Sequence, residues 1–191
     1  GGEKPEEAFA ALGRALKQDP SNENTQRRLE QLSSQLHNYA ELVAIYEDAT
    51  VDLVDEQLHI ALLNKIAHIQ HAVLEQPEKA AEAYDRILGI DPSNMDAIDA
   101  LIEIHRTTNN FPSTVAAVVR KSDMVDSPDD RKELLLYAAT IREQAMEDVA
   151  GSIELYQQVL AVDDSEARAL EALERLYLSE ENWESLKDIY T

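Results

Sequence analysis

Pro77-Glu78-Lys79-Ala80-Ala81-Glu82-Ala83-Tyr84-Asp85-Arg86-Ile87-Leu88-Gly89-Ile90-Asp91-Pro92-Ser93-Asn94 is the stretch on which the fold turns. Ala80, Ala81, Tyr84, Ile87 and Leu88 recur at helical spacing and share one face. Pro77 suits the first turn of that helix, where its missing N–H costs no hydrogen bond. Pro92 disfavours the α region at Asp91 and so closes the helix behind it. Ser93 or Asn94 then offers the side-chain oxygen that caps the next helix.

The same punctuation appears elsewhere. Asp19-Pro20-Ser21-Asn22 precedes Asp91-Pro92-Ser93-Asn94 by 72 residues, and Asp163-Asp164-Ser165-Glu166 follows it by 72. At the same lag lie Leu29, Leu101 and Leu173; Leu32, Ile104 and Leu176; Asn38, Asn110 and Asn182; and the aromatics Tyr39, Phe111 and Trp183. The other half of the period repeats as Pro5 with Pro77, Ala8 with Ala80, Tyr84 with Tyr156, and Leu16 with Leu88 and Leu160. A unit of that length suits two helical hairpins of about 34 and 38 residues. The spacing predicts helices near 5–18, 22–36, 39–52, 56–74, 77–89, 94–108, 111–124, 129–147, 149–161 and 165–179, with an eleventh starting at Asn182. Residues 1–4 read as a tail that begins with a cloning remnant, Gly1-Gly2. Residues 5–191 read as one repeat domain, divided as 5–18 (partial), 19–90, 91–162 and 163–191 (partial). The expected class is an all-α solenoid of antiparallel hairpins, each burying an apolar face that only its neighbours can cover.

Composition supports this reading. With 5 Gly and 6 Pro in 191 residues, there are too few turn formers for an all-β chain. Hydrophobic residues at 44% and charged residues at 29% give a globular balance. The longest apolar run, Leu134 to Ala139, is far short of the roughly 18 residues a bilayer span needs, so no membrane insertion is expected. With no Cys, disulfides, thiolate metal sites and cysteine nucleophiles are excluded. Seventeen basic residues against 38 acidic give a net charge of −21, which repels phosphate backbones and excludes nucleic acid as a partner class. Two stretches, Leu29 to Asn64 and Glu143 to Ala167, each carry seven acids and no Lys or Arg. A solvated acidic face explains them most simply; a dock for a basic partner is the sharper alternative. A soluble protein is expected, with the cytoplasm favoured over other compartments.

From Pro77 to Pro92 the sequence resembles the tetratricopeptide repeat, through Ala80, Tyr84, Ile87 and Pro92 in the second helix of a hairpin. Leu29, Leu101 and Leu173 match the first-helix leucine, and Tyr39, Phe111 and Trp183 match the aromatic that opens the second helix. The family's mid-helix glycine is replaced by Glu30, His68, Ile102, Thr140 and Glu174. Alternate hairpins are lengthened by four residues, which the sequence places around Thr50 to Glu56 and Ser122 to Asp129. The resemblance implies a divergent superhelical array, and the partial units at both ends suggest a fragment of a longer one.

No catalytic constellation emerges, and neither a cofactor nor a metal is expected. The five glycines form no phosphate loop, and no strand precedes them. His68 and His71 lie one turn apart without a third ligand at helical spacing. His71 and His105 read as packing residues, and Asp123 to Asp130 lacks the glycine of a calcium loop. Tyr39, Phe111 and Trp183 are expected in the core, as wedges between successive hairpins. What remains is surface. In the family that this chain resembles, the first helices line a concave groove; its lining here is expected to be Asn24, Arg27, Gln31, Ser34, Lys65, Asp96, Asp99, Glu103, Arg106, Tyr137, Arg168, Glu171 and Arg175. The repeated Lys and Asn clamp for a C-terminal carboxylate is not present. The expected function is a noncatalytic scaffold that binds a peptide or protein, of basic character if the acidic stretches contribute. The alternative is a regulatory or substrate-recognition segment of a larger enzyme.

Overall fold

The computed structural model describes residues 4–190. Among them are eleven α-helices and no strand. The helices are α1 (Pro5–Gln18), α2 (Glu23–Leu36), α3 (Tyr39–Thr50), α4 (Glu56–His68), α5 (Pro77–Ile90), α6 (Met95–Thr107), α7 (Phe111–Ser122), α8 (Pro128–Gln144), α9 (Val149–Val162), α10 (Ala167–Ser179) and α11 (Trp183–Ile189). A π-helical turn, Ile69–Val73, continues α4. The class is an all-α solenoid of hairpins: α2 with α3, α4 with α5, α6 with α7, α8 with α9, and α10 with α11. Gly1-Gly2, read as a cloning remnant, and Thr191 lie outside the described residues, while Lys4 is the N-cap of α1.

Chemistry at the helix ends explains the boundaries. Asp91 caps α5 at its C-terminus with extended backbone, as the following proline demands. Asp19 and Asp163 adopt the same role, the latter without a proline behind it. Each aspartate accepts the hydroxyl of the serine two residues on: Ser21, Ser93 and Ser165 at 2.6, 2.7 and 2.8 Å. The capping oxygen of the next helix comes from the residue after that serine. Asn22 accepts from Thr25 N, Asn94 from Ala97 N, and Glu166 from Arg168 N.

Turns inside the hairpins follow another rule. His37, Glu75, Asn109, Glu147 and Glu181 all hold φ between 53° and 56°, the left-handed region. Each is followed by the N-cap of a second helix: Asn38, Gln76, Asn110, Asp148 or Asn182. The cap's own N–H returns to the preceding helix, as in Asn38 to Ser33 O and Asn110 to His105 O. In the two longer hairpins that bond reaches one residue further back, Gln76 to Gln70 O and Asp148 to Arg142 O. The extra length therefore sits mostly in the first helices and not around Thr50 to Glu56 and Ser122 to Asp129 as expected. It appears as the π turn after α4 and as the 17 residues of α8, against 13 or 14 in α2, α6 and α10.

The chain packs as two compact units, Gly1–Ala97 and Ile98–Thr191. In the first, α1 lies on α2 and α3, α3 on α4, and α4 on α5. Leu16, Leu29, Leu42, Leu62, Leu63 and Ile66 are fully buried there. In the second, α7 lies on α8, α8 on α9, α9 on α10, and α10 on α11. Val118, Leu135, Ala138, Ala139, Val159 and Leu173 form its core. Each fully buried Leu, Ile or Val contributes about 1.5–3 kcal/mol, whereas an exposed ion pair contributes about 1 kcal/mol or less. Apolar packing thus dominates stability despite the many surface charges.

The aromatic series corrects one expectation. Tyr39 and Phe111 are only half-buried and Trp183 is 63% exposed, so none is a core wedge. Each is the first residue of its helix, directly after the Asn cap. His71 likewise is exposed on the π turn, while His105 is half-buried on α6.

Candidate functional site

The expected groove residues fall on first helices, and the cations among them are held by the chain's own acceptors. In the first unit, Asn24, Arg27, Gln31 and Ser34 follow helical spacing along α2 and are all exposed. Arg27 donates to Asn24 Oδ1 at 3.0 Å. Lys65 of α4 turns back to Glu30 of α2, with Nζ 2.6 Å from Oε1. Asp96 is exposed at the start of α6.

In the second unit, Asp99 departs from the set: it accepts from Lys121 of α7 at 2.5 Å and so faces its own hairpin's second helix. Glu103 and Arg106 form a two-pronged bridge, 2.9 and 2.7 Å, and this hydrogen bonding raises the guanidinium pKa above its ordinary value. Tyr137 on α8 is 39% exposed. Arg168 of α10 grips Glu133 of α8 at 3.0 and 2.5 Å and Glu166 at 2.8 Å. Those bonds hold Glu133 below the usual carboxylate range and bring Glu166 down to about 2. Arg175 pairs with Glu143 of α8 at 2.6 Å, which lowers the Glu143 pKa. Glu171 is exposed between Arg168 and Arg175 on α10. The unit's first helices α8 and α10 therefore meet through side chains, and α8 also carries Tyr137.

Three clusters were not legible from spacing. Glu30 accepts both the Tyr46 hydroxyl at 2.7 Å and the Lys65 ammonium, tying α2, α3 and α4 together. Burial, reinforced by Glu30, raises the Tyr46 pKa far above its ordinary value. Glu143 does the same for α8, α9 and α10, accepting Tyr156 at 2.9 Å and Arg175. Lys132 of α8 is ringed by Asp163 at 2.9 Å, Glu166 at 3.2 Å and Asp129 at 3.7 Å. The only sequence signal was Glu30 standing where the related repeat has glycine.

Two open cavities lie at the bases of the longer hairpins. One, of about 670 Å³, is bordered by Glu47, His59, Arg86, Gly89 and Ile90; the other, of about 450 Å³, by Asp129, Lys132, Ala161, Val162 and Asp163. Arg86 is bridged to Glu47 at 2.7 Å, and burial lowers the His59 pKa. Among the described residues no group of three His, Asp or Glu side chains is arranged to hold a metal ion. No described helix is long and apolar enough to cross a membrane.

A repeat protein is among the relatives of this chain. Tetratricopeptide repeat protein 21B of Mus musculus is 25% identical over 206 residues, which cover 94% of this chain and 15% of the relative. The chain thus spans a small part of that relative's length. The crystal structure of nearly identical TPR-like repeats from a candidate kinesin light chain of Podosopora anserina overlays with a TM-score of 0.42 at 16% identity, covering 100% of this chain and 94% of that one. No protein-family model matches. Over nearly its whole length the chain is thus similar in sequence to a tetratricopeptide repeat protein.

Proposed function

We propose that the chain is a noncatalytic scaffold that binds a basic peptide or protein on its first-helix face, with Tyr137 of the second unit as anchor. One observation carries this reading. Tyr137 is an exposed aromatic on α8, the helix whose Glu133 and Glu143 bind Arg168 and Arg175 of α10, while Arg106 of α6 is bridged to Glu103 and Arg168 also to Glu166. Guanidiniums already chelated by carboxylates make poor captors of an incoming anion. They instead form a fixed polar rim around an aromatic that a partner can desolvate, the arrangement in which aromatic residues carry most binding energy. With a net charge of −21, the surrounding field favours a positive partner. In the first unit, Asn24, Arg27, Gln31, Ser34, Lys65 and Asp96 supply the corresponding polar row.

The test isolates a partner on the immobilised chain and then titrates it against the parent, Tyr137→Ala and Arg106→Glu. Tyr137→Ala should weaken binding by about 2 kcal/mol or more, as for a central anchor, and Arg106→Glu by about 1 kcal/mol or less, as for a rim charge. A partner that binds Tyr137→Ala as tightly as the parent overturns the assignment of the face.

A further inference from the structure

We propose that the loop between α3 and α4 docks a basic segment of a partner protein, one that lays a large apolar side chain over Val51 and Val54 and sets lysine or arginine on either side of it. This surface lies in the first unit and does not use Tyr137. Val54 is 91% and Val51 73% exposed, more than any other large apolar side chain among the described residues. The loop is internal: α1 and α2 pack on α3 before it, and α5 packs on α4 after it.

The second unit shows that the fold does not ask for valine here. Residues 51–55 join α3 to α4, and 72 positions on, residues 123–127 join α7 to α8. The inner frame of the two loops is the same. Thr50 and Ser122 are buried, and their hydroxyls donate to Glu47 O at 2.8 Å and Val119 O at 2.7 Å. Leu53 and Val125 are half-buried. Asp55 and Ser127 cap the next helix, accepting from Leu58 N at 3.0 Å and Asp130 N at 3.2 Å. At the positions of Val51 and Val54, however, stand Asp123 and Asp126, both exposed. Between them the exchange runs the other way, with Asp52 exposed and Met124 half-buried. Asp123 also pairs with Arg131 at 3.4 Å, at the two repeat positions that Val51 and His59 hold in the first unit. The second unit thus occupies this place with an ion pair of its own. In the first unit, Val51 and His59 instead border the open cavity of about 670 Å³, together with Gly89 and Ile90.

Charge selects the occupant. From Leu29 to Asn64 the chain has seven acids and no Lys or Arg, and Asp52, Asp55 and Glu56 are exposed around the valines. No described cation is set against Asp52 or Glu56. The basic side chains that reach the border of the cavity are engaged: Arg86 with Glu47 at 2.9 and 2.7 Å, and Lys17 with Asp48 at 2.9 Å. Burial and the neighbouring Arg86 lower the His59 pKa, so its imidazole is neutral at pH 7 and adds no positive charge. An uncharged apolar segment would desolvate the loop carboxylates without a counter-charge, and an acidic one would be repelled. A basic segment pairs them while its apolar side chain covers the valines.

The probe is a synthetic, terminally blocked pentapeptide with a central tryptophan between two pairs of lysines, titrated into the full chain and followed by methyl NMR. The expected result is a saturable shift of the Val51, Val54 and Ile90 methyl signals. Glutamates in place of the lysines should weaken binding by about tenfold or more. Val51→Asp combined with Val54→Asp, which installs the residues of the second unit, should leave the thermal midpoint unchanged. Followed at Ile90, that variant should bind about three- to tenfold more weakly, although it adds two negative charges. Tyr137→Ala should leave this binding as it is, so the loop and the Tyr137 face fail separately. Methyl signals indifferent to the peptide, a double variant that binds as tightly as the parent, or equal binding of the lysine and glutamate peptides overturns the proposal. A lowered thermal midpoint in the double variant would make the valines part of the fold, and methyl signals that shift with protein concentration alone would make a second copy the occupant; either result overturns it as well.

Discussion

A methyl group added at Gly89 would meet nothing within 4 Å, whereas one added at Gly151 would lie 1.9 Å from Arg142 Nη1 and 2.2 Å from Asp148 Oδ2. Both glycines are helical, yet only one is required by its neighbours. The Asp148 carboxylate caps α9 by accepting the Gly151 N–H at 2.9 Å, and its other oxygen bridges Arg142 at 2.9 Å. A side chain at 151 must push that carboxylate aside and give up both contacts. Gly89→Ala should therefore stabilise the protein by about 0.5–1 kcal/mol through helix propensity alone. Gly151→Ala should lose that gain to the broken cap, ending about 1 kcal/mol or more below Gly89→Ala. Urea unfolding of the two variants beside the parent measures this difference, and equal midpoints would show that the Asp148 cap contributes nothing.

Between elements, the Lys132 cluster binds α8 to the segment that joins α9 to α10, and it sets an acid limit on that junction. Hydrogen bonds from Lys132 and from Ser165 bring Asp163 down to about 2, from an ordinary value of 3.8. Glu166, held first by Arg168 and also by Lys132, falls to about 2 from 4.5. For groups whose folded pKa is depressed, the stabilisation is complete above the unfolded value and disappears as pH falls through the folded one. Stability should thus drop between about pH 4.5 and pH 2, and Lys132→Met should lose part of that acid-dependent stabilisation. Thermal melts of both proteins across this range test the point; superimposable pH profiles would remove Lys132 from the account. None of this was legible in the sequence, because Lys132, Asp163 and Glu166 share no spacing that marks them as neighbours. Helix positions were legible, since Asp-Pro, the Asn caps and the apolar periodicity act locally. The left-handed turns at Glu75, Glu147 and Glu181 were hidden, because glutamate carries none of the signal that glycine gives at φ near 53°. Trp183, Phe111 and Tyr39 misled for a related reason: their 72-residue recurrence reports a position after an Asn cap, and the sequence does not show which way the ring leaves the helix.

At the scale of the whole molecule, an excess of 21 negative charges surrounds a surface on which many cations are already engaged. Three of the four basic residues that border the two acid-only stretches fold back onto acids: Lys65 onto Glu30, Arg142 onto Asp148, and Arg168 onto Glu133 and Glu166. These bridges leave the net charge untouched but confine the positive ends to short range, so a molecule approaching from beyond the Debye length of about 8 Å meets mainly the acidic excess. Such a field would accelerate encounter with the proposed positive partner far more than it strengthens the bound complex, whose affinity the proposal assigns to apolar burial at Tyr137. Association of a basic partner should therefore slow steeply as salt rises, while its dissociation changes little. Stopped-flow or surface-capture kinetics across a salt series give both rates for the same complex. A charge-reversed variant of that partner should associate slowly at every ionic strength, and its rate should rise with salt instead of falling. An association rate indifferent to salt would mean that the acidic stretches serve only as a solvated surface, and a dissociation rate carrying the whole salt dependence would place the charges inside the contact.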